Sequence, residues 1–130
     1  MATYLKALVN IFTPDIDRSA WFYGEVLGLR ETYRFPRSGK AEHIEYEVGA
    51  TTVAISSPEG LKSHGMPEPT AGHPFELALK TDDVVGAVRD LEAAGIVILR
   101  HPAVSAADNK YAYVEDPSGT WISLYENPGK

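Results

Sequence analysis

The sequence of 130 residues contains no cysteine, which excludes disulfides, thiolate metal sites and a cysteine nucleophile. It also has no apolar run close to the roughly 20 residues that a membrane-spanning helix needs, and its first residues alternate in polarity instead of forming a signal peptide. Basic side chains are few, since 12 Lys and Arg stand against 18 Asp and Glu for a net charge of −6. This balance disfavours nucleic acids and anionic membranes as partners. The sequence therefore predicts a cytoplasmic protein that is long enough to form a hydrophobic core without disulfides.

The last strand-like stretch, residues 111–126, consists of two alternating runs joined by the sequence Asp-Pro-Ser-Gly at 116–119. Such a sequence favours a tight turn, because Pro fixes φ, Asp accepts hydrogen bonds from nearby amides and Gly adopts positive φ. Alternation then separates an aliphatic face, which suits a core, from an aromatic face, which suits the wall of a pocket. The aromatic face comprises Tyr111, Tyr113, Trp121, Ser123 and Tyr125.

The remaining chain shows the same order of elements twice. In the first half, patterns of polarity predict strands at 4–13, 29–35, 41–48 and 51–56, with a helix at 18–27 that follows Asp15 and Asp17 and ends at Gly28. In the second half they predict strands at 75–81 and 96–100, a helix at 84–94 and the hairpin at 111–125. We interpret this order as a duplicated β-α-β-β-β module.

The spacing within the two halves supports a duplication. Leu8 precedes Asp15 by seven residues and Glu76 precedes Asp83 by seven residues. The sequence thus predicts a first module at 1–56 and a second module at 75–130. Residues 57–74 are rich in Pro and Gly and show no periodicity, so we interpret them as a linker or a lid.

Three segments resemble the vicinal oxygen chelate superfamily, which includes glyoxalase I, bleomycin-resistance proteins, extradiol dioxygenases and fosfomycin-resistance enzymes. These segments are DIDRSAWFYGEVLGL at 15–29, ELALKTDDVVGAVRDLEAAGI at 76–96 and VEDPSGTWISLYE at 114–126. The resemblance implies an α+β fold in which two βαβββ modules form a curved eight-stranded mixed sheet around a cavity. It also implies a C2 homodimer, and it is nearest to the metal-free branch typified by bleomycin-resistance proteins.

The resemblance places the four metal-ligand positions of the family at Leu8, Ala54, Glu76 and Ser123 of this chain. Leu8 and Ala54 have no donor atom and a serine hydroxyl is a weak neutral ligand, so one carboxylate would remain to hold a divalent ion. The four histidines also lack the spacing of a ligand set. We therefore expect neither a metal nor another cofactor.

The candidate binding residues are the positions that alternation and the implied fold place on the cavity side. His43 and Glu45 belong to this set because they alternate with core-like Ile44 and Tyr46. The full set of predicted ligand-binding residues is Leu8, Asn10, Phe12, His43, Glu45, Ala54, Glu76, Tyr111, Tyr113, Trp121, Ser123 and Tyr125. Rings of this kind also fill barrels and dimer interfaces without contacting a ligand.

Glu76 is the one predicted catalytic residue. It could act as a general base, accept a hydrogen bond from a ligand, or serve no chemistry as a hydrated carboxylate or a partner of Lys80 or Arg100.

Three functions follow from these observations. The first is a metal-free protein that binds a small aromatic or cationic organic ligand, as in sequestration of an antibiotic or a metabolite. The second is a metal-independent isomerase, cyclase or lyase with Glu76 as its base. The third is a glyoxalase-like lyase that holds a divalent metal through displaced ligands.

Overall fold

The computed structural model describes residues 3–73 and 75–126. The ends of both predicted modules (residues 1–2 and 127–130) and Pro74 in the predicted linker lie outside the described residues. The chain divides into two compact units, Met1–Thr70 and Ala71–Lys130.

The first unit contains four strands and two short helices. Its strands are β1 (Leu8–Phe12), β2 (Arg30–Phe35), β3 (His43–Val48) and β4 (Thr51–Ser56), and its helices are α1 (Ile16–Ala20), which continues as a π-helical segment (Trp21–Val26), and α2 (Pro58–Ser63). The strands form one sheet in the order β1-β4-β3-β2, in which β1 runs parallel to β4 and the other pairs are antiparallel.

The second unit repeats this arrangement with one helix. Its elements are β5 (Leu77–Lys80), α3 (Val84–Ala93), β6 (Val97–Val104), β7 (Lys110–Glu115) and β8 (Trp121–Glu126). The sheet order is β5-β8-β7-β6, and β5 runs parallel to β8. The predicted α+β fold of two βαβββ modules with mixed sheets is thus confirmed, and the eight strands fall into two sheets of four.

Aspartate caps start both long helical segments. The Asp15 side chain accepts a hydrogen bond from the Arg18 amide at 3.1 Å, and the Asp83 side chain accepts one from the Gly86 amide at 2.9 Å. The predicted start of the first helix at residue 18 was wrong by two residues, because Asp15 and not Asp17 is the cap. The helix also widens beyond Ala20, where the Leu27 amide donates to the Phe22 carbonyl five residues back.

The core of each unit lies between the helix and one face of the sheet. In the first unit this face contributes Ile44, Tyr46, Val53 and Ile55, all at most 1% exposed. In the second unit it contributes the aliphatic positions that alternation predicted for the hairpin, which are Ala112, Val114, Ile122 and Leu124. The opposite face of each sheet is therefore the one available for binding.

The turn between β7 and β8 forms as the sequence predicts. One Asp116 carboxylate oxygen accepts hydrogen bonds from the amides of Ser118 at 2.9 Å and Thr120 at 2.8 Å. Gly119 adopts a φ of 93°, a conformation that residues with a Cβ atom rarely adopt. The turn thereby fixes the register in which Tyr111 pairs with Tyr125.

Two segments differ from the prediction. Residues 57–74 were expected to lack regular structure, but α2 forms at Pro58–Ser63 because Ser57 caps it and Pro58 occupies its first turn. Strand β6 was expected to end at Arg100 but continues to Val104, since an edge strand with bulges tolerates Pro102. Whether residues 57–74 act as a linker or a lid stays a prediction.

In the part of the chain that the structure describes, no helix is long and apolar enough to cross a membrane.

Candidate functional site

A cavity of about 590 Å³ lies within the first unit, on the face of the sheet opposite the core. Strands β1, β3 and β4 supply its polar floor, the edge strand β2 supplies two aromatic rings, and α2 supplies a further wall. Its lining residues are Asn10, Tyr33, Phe35, Glu42, His43, Glu45, Ser56, Gly60, Leu61 and His64. The volume is within the range that small-molecule sites occupy.

Strand register places four polar side chains of the cavity in one hydrogen-bonded row. His43 and Ser56 are direct partners across β3 and β4, and the His43 Nδ1 lies 2.7 Å from the Ser56 hydroxyl. Glu45 lies two residues further along the same face of β3, and its carboxylate is 2.9 Å from His43 Nε2. The Ser56 hydroxyl donates to the Asn10 side-chain oxygen at 3.0 Å.

This row holds the imidazole of His43 at both nitrogens and thereby fixes its orientation. The side chains of His43 and Glu45 are only 25% and 26% exposed, so water screens their contact less than it would screen a surface pair. Ser56 is buried, so its hydroxyl needs partners within the protein. The side chains of Asn10 and His43 provide these hydrogen bonds. The network is therefore a preorganised polar surface and not a set of freely rotating side chains.

The aromatic wall consists of Tyr33 and Phe35, which are 50% and 54% exposed. Both project from β2, and the Tyr33 ring lies 6.1 Å from the His43 ring between centroids. Half-exposed rings beside a polar floor suit a ligand that has one flat or apolar face.

The backbone at the start of α2 lies close to the loop before β3, which positions the α2 wall of the cavity. The Ser57 amide donates to the Glu42 carbonyl at 2.9 Å, and a methyl group added at Gly60 would lie 3.1 Å from that same oxygen. Leu61 and His64 of this wall line the cavity. The His64 Nδ1 lies 2.7 Å from the Gly60 carbonyl, which can only accept, so in the neutral imidazole Nε2 is the acceptor nitrogen.

The charge of the cavity is acidic. Glu42 and Glu45 contribute carboxylates, and none of its lining residues is a lysine or an arginine. A cationic group or a hydrogen-bond donor would therefore be attracted to it, whereas a phosphate or carboxylate would be repelled.

The structure brings together three of the residues predicted to bind ligand, which are Asn10, His43 and Glu45. Leu8, Phe12 and Ala54 lie on the same face of the same sheet but do not line the cavity. Leu8 and Phe12 are 42% and 45% exposed, whereas Ala54 is fully buried.

The other predicted residues belong to the second unit. Tyr111, Tyr113, Trp121, Ser123 and Tyr125 share one face of β7 and β8, where the rings of Tyr111 and Tyr113 meet edge to face at 6.0 Å. Trp121 stacks on the imidazole of His73 at 4.3 Å. Glu76 is exposed just before β5, and its carboxylate contacts no described residue by a hydrogen bond or an ion pair. A role for this face in binding stays a prediction.

The metal site implied by the resemblance does not fit these residues. Leu8 and Ala54 offer no donor atom, and Glu76 with Ser123 would supply at most one charged ligand. Among residues 3–73 and 75–126, no group of three or more His, Asp or Glu side chains is placed to hold an ion.

Seven residues of the cavity were missed by sequence reasoning: Tyr33, Phe35, Glu42, Ser56, Gly60, Leu61 and His64. Alternation along β4 from Ala54 could have found Ser56. The Ser-Pro-Glu sequence at 57–59 is typical of a helix start and could have indicated α2 with Leu61 and His64. Tyr33 and Phe35 carried no signal beyond alternation in a short strand.

Comparison with known proteins identifies the family. The family model described as "Glyoxalase/Bleomycin resistance protein/Dioxygenase superfamily" matches residues 7–124. The chain belongs to this superfamily. The match spans both modules and agrees with the fold, and it leaves the branch within the superfamily open.

Proteins similar in sequence to this chain include an uncharacterised protein and a probable enzyme. An uncharacterised protein of Bacillus subtilis is 24% identical over 90% of this chain and 93% of its own length. A probable lactoylglutathione lyase of Vibrio cholerae is 26% identical over 87% of this chain and 83% of its own length.

Solved structures share the fold of this chain. A hypothetical protein from S. aureus superposes with a TM-score of 0.80 at 19% identity, covering 97% of this chain and 96% of its own. A superfamily enzyme from Burkholderia phytofirmans superposes with a TM-score of 0.80 at 24% identity, covering 92% of this chain and 95% of its own.

Proposed function

We propose that this superfamily member is a metal-free protein that binds a small organic ligand in the cavity of its first unit, as the bleomycin-resistance branch does. The observation that carries the proposal is the pairing, in one cavity of about 590 Å³, of exposed rings with a fixed Asn10–Ser56–His43–Glu45 row. Binding of this kind would sequester an antibiotic or a metabolite and would need no turnover. A cytoplasmic location and a homodimer are part of the same proposal.

The chemistry of the walls favours an aromatic or cationic ligand. Tyr33 and Phe35 offer ring faces on which a planar group stacks, and Glu42 and Glu45 attract positive charge. The Asn10 amide and the Nε2 of His64 add directional hydrogen bonds, which would fix the orientation of a bound molecule.

An occluding substitution on α2 tests the proposal. Leu61→Trp enlarges a side chain that lines the cavity, whereas Lys62→Trp places the same ring on the neighbouring exposed residue. Native mass spectrometry of protein incubated with a cell extract should detect a retained small molecule with wild type and Lys62→Trp, and lose it with Leu61→Trp. Equal retention by both variants would contradict a site in this cavity.

A metal-independent enzyme is the second candidate, and the contact of Glu45 with His43 favours it. A carboxylate held against an imidazole inside a cavity is an arrangement that can transfer protons. Glu76, the base expected from the sequence, remains the alternative. With the retained molecule as substrate, Glu45→Gln should abolish turnover if Glu45 is the base and Glu76→Gln should abolish it if Glu76 is, whereas a pure binding protein shows no turnover in either case.

The lactoylglutathione lyases among the similar proteins suggest a third candidate, which the residues of this chain do not favour. The metal mechanism implied by the resemblance needs ligands at positions where this chain has Leu8 and Ala54. Added Ni, Zn, Mn or Fe should therefore neither bind stoichiometrically nor produce lyase activity. Tight binding of one ion per chain would restore this candidate.

A further inference from the structure

A second cavity of about 420 Å³ lies in the first unit beside the π-helical segment. It opens between that segment and strands β2 and β3, and it shares no lining residue with the cavity described above. Its lining residues are Asp17, Ala20, Trp21, Gly24, Glu25, Leu29, Glu31, Arg34 and Tyr46.

Tyr46 presents a polar group at the base of this second cavity. The residue is 1% exposed, yet its hydroxyl bonds no other described residue. In the described residues every side-chain nitrogen or oxygen that is buried from solvent has a hydrogen-bond partner, so the Tyr46 oxygen retains access to the cavity. An unpaired hydroxyl that lines a cavity is therefore available to a ligand. Burial raises the pKa of Tyr46 to about 12, so the phenol keeps its proton at neutral pH.

Gly24 leaves the path to this hydroxyl open. A methyl group added at Gly24 would lie 3.5 Å from the Tyr46 ring and 3.7 Å from its hydroxyl, which is ordinary contact. Packing therefore does not require a glycine here, although a glycine within a helix costs about 1 kcal/mol relative to alanine. A larger side chain would cover the hydroxyl.

The charges around the second cavity select the ligand. Arg34 binds Glu31 through two hydrogen bonds of 3.0 and 2.8 Å, so these two charges compensate each other. Asp17 and Glu25 form no ion pair or side-chain hydrogen bond with a described residue. The Glu31 hydrogen bonds raise the pKa of the Arg34 guanidinium, and Asp17 lies near enough to raise it further. The guanidinium of neighbouring Arg18 lies 4.1 Å from the Trp21 ring centre. The lining of the cavity thus contains three carboxylates and one guanidinium group, and its net charge is negative.

We propose that the second cavity binds a small organic amine, with its ammonium group between the Tyr46 oxygen and the carboxylates of Asp17 and Glu25. An ammonium donates hydrogen bonds to both kinds of acceptor. Trp21 and Leu29 provide apolar contact for the body of the ligand. An anion would meet the same carboxylates and be repelled. This site is independent of the function proposed for the first cavity.

The indole N–H resonance of Trp21 in a nitrogen-correlated NMR spectrum reports on this site directly. The chain has two tryptophans, so the resonance is assigned from the spectrum of Trp121→Phe. Benzylamine should shift it saturably at millimolar concentration, and uncharged benzyl alcohol should bind at least about tenfold more weakly. Absence of a saturable shift with benzylamine, or equal affinity for the alcohol, would overturn the proposal.

Variants distinguish the contribution of the Tyr46 hydroxyl to benzylamine binding from an effect of the net charge of the protein. Tyr46→Phe keeps the buried ring and should weaken benzylamine binding about threefold or more, as should Glu25→Gln. Glu59→Gln makes the same change of net charge on α2, away from the site, and should leave the affinity unchanged. Unaltered affinity in Tyr46→Phe, or an equal loss in Glu59→Gln and Glu25→Gln, would show that the cavity does not select the amine.

Discussion

Burial of the Tyr46 side chain makes the stability of the first unit depend on pH. Burial raises its pKa to about 12 from an ordinary value of 10.0, the Glu31 carboxylate raises it further and Arg34 opposes the shift. The folded protein thus holds this proton more tightly than the unfolded chain does. The free energy of unfolding should therefore keep this contribution below pH 10 and lose it as the pH rises to about 12. The loss should be on the order of 2–3 kcal/mol.

Urea unfolding at about pH 9 and about pH 11 measures this dependence. The drop in free energy of unfolding between the two pH values should be larger in wild type than in Tyr46→Phe, which has no proton to lose at this position. Tyr33→Phe removes a half-exposed tyrosine and should keep the wild-type drop. The same drop in wild type and Tyr46→Phe would show that other groups control alkaline stability.

At the residue scale, alternation predicted which side chains leave the core but not which of them meet. It placed His43 and Glu45 on the binding face, and the structure adds Ser56 because β3 and β4 pair in a register that puts Ser56 opposite His43. A one-residue change of register would have broken that contact. Polarity patterns within one strand carry no information on register, so the hydrogen-bonded row could not be derived from them.

At the scale of elements, α2 depends on Gly60. A methyl group at Gly60 would lie 3.1 Å from the Glu42 carbonyl and 3.3 Å from the Glu42 side chain, so α2 must move away from the loop before β3. Gly60→Ala should lower the free energy of unfolding by about 1 kcal/mol, because overpacking outweighs the better helix propensity of alanine. It should also weaken ligand retention, since Leu61 and His64 move with the helix.

Gly24→Ala is the matched control for this prediction. It makes the same replacement in another helical segment, where the added methyl meets Tyr46 at ordinary contact distance. It should therefore raise the free energy of unfolding by about 0.5–1 kcal/mol. Denaturant unfolding compares the two variants, and stabilisation of Gly60→Ala by a similar amount would mean that α2 has room to adapt.

The elements that the sequence predicted well are those with a local cause. Asp83 and Gly95 delimit α3, and the Asp-Pro-Ser-Gly turn sets the final hairpin. The elements that differ depend on contacts distant in sequence. The start of α2 is held by the Glu42 carbonyl, and β6 continues past Pro102 through pairing with β7. Composition alone made residues 57–74 resemble an irregular linker.

At the scale of the whole molecule, one edge strand carries several exposed apolar side chains. Strand β6 is the last strand of its sheet and carries Val97, Leu99 and Val104 at 55%, 43% and 60% exposure. A long edge strand with such side chains favours association, because its backbone groups and apolar surface are both open to a second chain. We therefore expect β6 to contribute to the homodimer that the sequence predicts.

Light scattering at micromolar concentration should give twice the mass of one chain, which is 14.2 kDa. Leu99→Lys should shift the population toward monomer, because the charge would be buried without a partner in the interface. Ala93→Lys adds the same charge at the exposed end of α3 and should leave the dimer intact. A monomeric wild type would refute the dimer, whereas a dimer equally stable in both variants would move the interface away from β6. In that second case the exposed side chains of β2 would be the next to replace, since Tyr33 and Phe35 lie on an edge strand of the other sheet.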